Sequence, residues 1–185
     1  MIKQTLISED GRVVPIISGI GNHEVKRYIG GNQWYSFENT ILPYDITDQW
    51  RMAAAPIYYS VIAFPGLPCY GVLAFGNYMS LIILDCGHTN RVEGCQLSWL
   101  EEVLTERDRR KVDYIYPVYH NPAFPSHRSP DSRPLEEVRR YYVPLFERSH
   151  VQVAFENHDH TYKRTHPVRE GKVREDGIVY SGDGN

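Results

Sequence analysis

The chain has 185 residues, 42% of them hydrophobic and 23% charged, with a formal net charge of -3 and a sequence pI of about 6.2. That length supports one sizeable core rather than two, and the composition excludes a disordered or collagen-like chain. The slightly acidic balance excludes a global basic field for nucleic acid, so a phosphate-bearing ligand would need local neutralisation by a metal ion or by a few Arg, Lys and His residues.

No apolar run is long enough to span a bilayer, and the opening MIKQTLISEDGRVV lacks the apolar core of a secretory signal. The compartment therefore stays open, and neither a membrane nor a specific nucleic acid is expected as a partner. The three cysteines, Cys69, Cys86 and Cys95, have no C-x-x-C spacing and an odd count, which predicts buried thiols rather than a disulfide framework.

Residues 13–20, VVPIISGI, read as a short buried strand running into Gly21-Asn22-His23-Glu24. Asn22 offers a neutral amide oxygen to a cation, and His23 could stand beside it as proton donor or phosphate contact; an Asx-type turn with a solvent-facing histidine is the other reading. Residues 26–50 form an aromatic, irregular connection that packs on the core through its rings. Three strands are predicted next, over 56–64, 71–76 and 78–85, separated by Pro65-Gly66 and Gly76-Asn77. The last of them, MSLIILDC, is nearly all apolar and should be central. Asp85 and His88 lie just past its end, Asp85 either as a catalytic group or as the cap of a turn.

Over residues 93–110, Leu97, Leu100, Val103 and Leu104 recur at helical spacing, with Glu101, Glu102, Arg107, Arg109 and Arg110 read as the solvated face. Residues 112–119 predict a buried strand that delivers His120 at its tip. The Pro-, Ser- and Arg-rich loop 121–134 contains His127, Arg128 and Arg133, which could contact an anionic group or belong to a merely polar loop. Residues 135–149 predict a second helix, with Val138, Tyr141, Tyr142, Leu145 and Phe146 facing inward. A strand over 151–155 then leads to ENHDHTYKRT. If that segment stays extended, His158 and His160 point one way and Asp159 the other, an arrangement suited to neighbouring cations. Residues 162–168 and 177–180 complete the predicted strands. Strands alternating with helices, each chemical residue on a loop at a strand end, predict an α/β sandwich with one active rim.

GNHE at 21–24, the lone histidine of PVYH, and HDHTYKR at 158–164 resemble the third, fourth and fifth blocks of the calcineurin-like metallophosphoesterases, most closely the purple-acid-phosphatase-like branch. LDCGH followed by GCQLSWLEEVL, and PLFERSHVQVAFENHDHTYKRTHPV, are similar to that branch in order and spacing, so the resemblance runs from about residue 19 onward. It implies a β-sandwich flanked by helices in four αββα layers. It also implies one metal ion held by Asn22, His120 and His158, a second held by His160, and His23 beside the phosphate as stabiliser or proton donor. The ions would be Fe, Zn or Mn, and the substrate a phosphorylated small molecule, with His127 and Arg128 as candidate substrate contacts. Such ions lower the pKa of a bound water and neutralise charge on the equatorial phosphate oxygens.

Two departures qualify this. The family's D-x-H or D-x-G strand end and its G-D block, whose Asp bridges the metals, have no match before GNHE; Asp10 lacks a preceding strand, and Gly182-Asp183 has the dipeptide in another place. Asn157 also stands where the family usually has Gly, in a loop that could need a permissive backbone. The expectation is a single unit, the C-terminal portion of a metallophosphoesterase domain missing its leading β-α-β portion. It would hold one metal ion or none, and it would carry an open sheet edge that invites homo-oligomerisation. The expected activity is metal-dependent hydrolysis of phosphoric esters by a metal-activated water, impaired in this chain. The alternatives are a non-catalytic metal-binding or interaction module with this fold, and a nucleotidase or phosphodiesterase.

Overall fold

The structure is a computed structural model, and it describes residues 10, 11, 21, 70–88 and 90–183. The strands expected at 13–20 and 56–64, the aromatic connection at 26–50, and both Asn22 and His23 lie outside the described residues.

Strands β1 (Gly71–Phe75) and β2 (Met79–Ile83) form the predicted hairpin, in register Gly71↔Ile83 to Phe75↔Met79. Its turn closes with the Tyr78 amide donating to the Phe75 carbonyl at 3.2 Å. Gly76 takes a left-handed φ of 59° there, which a residue without Cβ adopts at little cost. Helix α1 (Cys95–Arg109) carries the chain to β3 (Tyr114–Tyr119), parallel to β2, and α2 (Arg133–Arg148) carries it to β4 (Val153–Glu156), parallel to β3. Crossovers between parallel strands are right-handed as a rule, and two in one direction along a sheet put both helices on the same face.

The predicted run 162–168 divides at Thr165-His166-Pro167 into β5 (Tyr162–Arg164) and β6 (Val168–Arg169), because proline cannot donate to a ladder. β6 pairs with β7 (Lys172–Val173) in a two-stranded ribbon. β8 (Val179–Asp183) then inserts between β4 and β5, giving a six-stranded mixed sheet of order β1-β2-β3-β4-β8-β5. This is the α/β architecture the sequence predicts, with β2 and β3 inside the sheet.

Alternation sorts the sheet residues. Ile82, Ile115, Tyr119, Ala154 and Tyr180 face the helices and are buried, whereas Leu73, Phe75, Tyr114 and Phe155 on the opposite face are exposed. Tyr119 anchors the buried face, with ring centroids 6.2 Å from Tyr142 and 5.9 Å from Phe146 of α2. On α1 the buried stripe is Gln96, Leu100, Val103, Leu104 and Arg107, so Arg107 departs from the expected solvated face. Its spacing from Val103 and Leu104 places it on the inner side, and it pairs with Glu106 at 3.4 Å. Cys86 is buried as expected, whereas Cys95, at the exposed start of α1, is not.

One network of buried charges runs across the strands. Glu156, with no solvent exposure, receives hydrogen bonds from the Tyr119 hydroxyl at 2.7 Å, the Ala123 amide at 2.6 Å and the Lys163 ammonium at 2.6 Å. Lys163 also donates to the Phe124 carbonyl at 2.7 Å. Gly182 permits this approach, since a Cβ there would stand 3.0 Å from the Lys163 Cγ and from the Glu156 carbonyl oxygen. Glu156→Gln or Lys163→Met is therefore expected to destabilise the fold by about 3–5 kcal/mol in urea denaturation, because each strands a buried partner. Glu156→Gln combined with Lys163→Met should lose less than the sum of the two single changes; strict additivity would show that the pair is not coupled.

Candidate functional site

Because β2, β3 and β4 are parallel, their carboxyl ends share one rim, and a histidine follows each. Asp85, fully buried beyond β2, turns out to be the cap of the following turn. Its carboxylate accepts the His88 amide at 2.8 Å and the Asn90 amide at 2.6 Å, which places His88 on the rim. Gln96 at the start of α1 fixes the same corner, accepting the Asp85 amide at 2.8 Å and donating to the Asp85 carbonyl at 3.0 Å. The Tyr142 hydroxyl donates to that carbonyl at 2.7 Å.

His120 follows β3. The strand ladder continues through its carbonyl, which accepts the Asn157 amide at 3.1 Å and so holds the start of the next loop beside it. His158 Nδ1 then lies 3.0 Å from His120 Nε2, with ring centroids 4.8 Å apart, and the His88 ring is 5.2 Å from that of His120. The predicted meeting of His120 and His158 is thus present, and His88 joins them. The signal for His88 was in the sequence, as a histidine three residues past a strand-end Asp.

The segment 157–161 is not extended, contrary to the expected alternation. β4 ends at Glu156, and the chain must clear the end of β8 before descending as β5, a span of two strand spacings or about 9.5 Å in five residues. It does so as an arch in which His158 and His160 take left-handed φ values of 68° and 53°. Such values are uncommon outside glycine, though histidine is among the residues enriched there, and they concentrate at functional sites. The permissive conformation therefore falls on the two histidines, while Asn157 keeps a negative φ.

Asp159 turns inward from the arch and is buried. Its Oδ2 accepts the Ser126 amide at 2.6 Å, the Ser126 hydroxyl at 3.1 Å and the His127 amide at 3.3 Å. Burial opposes its charge, but these hydrogen bonds and nearby Lys163 hold its carboxyl below the ordinary value. Arg128 Nε donates to the His158 carbonyl at 3.1 Å, placing the guanidinium beside the imidazole. Burial, followed by the charges of Arg128 and His88, depresses the His158 pKa to about 4, so its ring is neutral at neutral pH. His127 and His160 are exposed.

Two imidazole nitrogens sharing a tetrahedral ion at 2.0–2.1 Å stand about 3.3 Å apart, so the 3.0 Å separation of His120 and His158 suits two donors of one ion. Among the described residues no group of three or more His, Cys, Asp and Glu is arranged to hold a metal ion. Among them, too, no helix is long and apolar enough to cross a membrane.

No family model matches the chain. Purple acid phosphatases 21 and 18 of Arabidopsis thaliana are each 32% identical to it over 91 residues, which is 48% of this chain and 21% of the relative. The match thus spans about a fifth of the length of these curated relatives. In fold, the purple acid phosphatase PPD1 from seeds of yellow lupin (Lupinus luteus) superposes with a TM-score of 0.63 at 18% identity, over 92% of this chain and 31% of that one.

The His158 environment has a measurable consequence. In the unfolded chain this ring takes a proton near 6.5, whereas in the fold it does so near 4. Its contribution to stability is therefore complete above about pH 6.5 and lost as pH falls toward 4, where the unfolded chain binds the extra proton. Melting temperatures measured from pH 7.5 to 4 should fall across this window, and His158→Gln should flatten the decline. Equal slopes in the two proteins would refute the assignment.

Proposed function

We propose that this chain, a metallophosphoesterase of the purple-acid-phosphatase-like type by sequence and fold, hydrolyses phosphoric esters with metal ions held at the β-strand rim. The observation that carries this reading is the meeting of His120 and His158, 3.0 Å apart beyond adjacent parallel strands. Asn22 joins them as the third donor to one ion, and His160 contributes to the second. Iron, zinc or manganese suits such imidazole and amide donors. When bound, the ions supply a nucleophilic water at neutral pH and positive charge for the phosphate oxygens.

The chain's own groups do the rest. His158 is neutral at physiological pH, so its lone pair is available without displacing a proton. Arg128, beside His158, can engage phosphate oxygens, and His127 on the same loop adds a polar contact. His23 is the residue we assign, on the family resemblance, to stabilising the phosphate or protonating the leaving oxygen.

The test is hydrolysis of an aryl phosphate by this chain loaded with zinc, iron or manganese. Turnover is expected, with chelators abolishing it. His120→Ala should lower kcat/KM beyond the roughly 100-fold loss typical of disturbing an outer-shell group of a metal site. A metal-loaded protein inactive on both mono- and diesters would overturn the catalytic reading and leave a binding module with this fold.

A further inference from the structure

We propose that Asp159 is a positioning residue that fastens the 126–128 loop to the histidine arch, holding Arg128 and His127 in place for a phosphate group before it arrives. The ligand class rests on the function proposed above; the fastening rests on geometry alone.

One carboxylate oxygen of Asp159 gathers three donors from the loop, the Ser126 amide, the Ser126 hydroxyl and the His127 amide, at 2.6, 3.1 and 3.3 Å. The Ser126 hydroxyl also lies 3.0 Å from the Thr161 hydroxyl, a second tie between loop and arch. The other carboxylate oxygen is buried without a hydrogen bond, and the charge it faces is Arg128, whose Nε is 4.0 Å away. Arg128 is thereby held twice, by the His158 carbonyl and by the field of Asp159. Its two Nη nitrogens have no partner among the described residues, which leaves the fork that recognises phosphate in bidentate fashion.

Residues 126–131 are exposed and bury no apolar side chain, so ordering them adds little to the core. The gain lies in geometry. An arginine on a loose loop loses backbone and rotamer freedom on binding an anion, and prior fastening removes that loss from the binding step. A buried carboxylate that ties an exposed polar loop beside His158 fits this role better than a contribution to packing.

The test is titration of the chain with inorganic phosphate, followed by amide NMR, for the wild type, Asp159→Ala and Asp159→Asn. Phosphate should shift the Ser126, His127 and Arg128 amides of the wild type. Asp159→Ala should weaken the dissociation constant by roughly tenfold, the scale of a lost charge-assisted contact. Asp159→Asn, which keeps an acceptor oxygen, should fall between the two, a partial rescue that loss of fold stability alone would not produce. Equal dissociation constants in the three proteins, or no response of the loop amides to phosphate, would overturn the proposal. If Asp159→Ala does not fold, hydrogen exchange of the wild type decides: the Ser126 and His127 amides should be protected, and exchange at unstructured rates would overturn the fastening. A chain that binds phosphate but hydrolyses no ester would defeat the proposed function and leave this inference standing.

Discussion

The buried pair of Glu156 and Lys163 is the constraint on which the rim depends. Removing two charges from water costs several kcal/mol per ion, and only close geometry with every hydrogen-bonding site occupied offsets it. Here the carboxylate receives a hydroxyl, an amide and an ammonium, and the ammonium also reaches a carbonyl. These partners come from β3, the loop after it, β4 and β5. A displacement in any of these elements leaves a charge unsatisfied, so the strand ends that carry His120 and His158 are fixed relative to one another.

From that fixed base the site is assembled by topology. Parallel strands bring their carboxyl ends to one edge, and right-handed crossovers keep both helices on the other side of the sheet from Leu73, Phe75, Tyr114 and Phe155. Side chains that meet at the rim are far apart in sequence and held from below. Asp85 and Gln96 set the corner that carries His88; the Asn157 amide on the His120 carbonyl sets the pairing of His120 with His158. Each histidine is placed by a backbone contact of its own loop.

Much of this was legible in the sequence because periodicity reports burial. The hairpin, both helices, β3 and β4 follow from alternation or helical spacing, and the association of His120 with His158 is what the family resemblance implies. What failed to show were contacts that depend on register or on left-handed backbone. Charge alone assigns Arg107 to the solvated face, whereas its place on the stripe of Leu100, Val103 and Leu104 buries it. Asp159 turns inward on an arch rather than by strand alternation, and its loop partners stand more than thirty residues earlier, where no local pattern reports them. The extended reading of H-D-H failed because nothing local announces that β8 will slip between β4 and β5.

That insertion also bears on the order in which the molecule can be made. During synthesis β4, the arch and β5 leave the ribosome before β8, yet β4 and β5 are not paired with each other; β8 lies between them and is the strand partner of β5. Until β8 emerges, the arch spans a gap with nothing beneath it, and Lys163 has no glycine to lie against as it reaches Glu156. The histidine rim therefore cannot mature vectorially with the growing chain. It is shaped only after β8 is in place between β4 and β5.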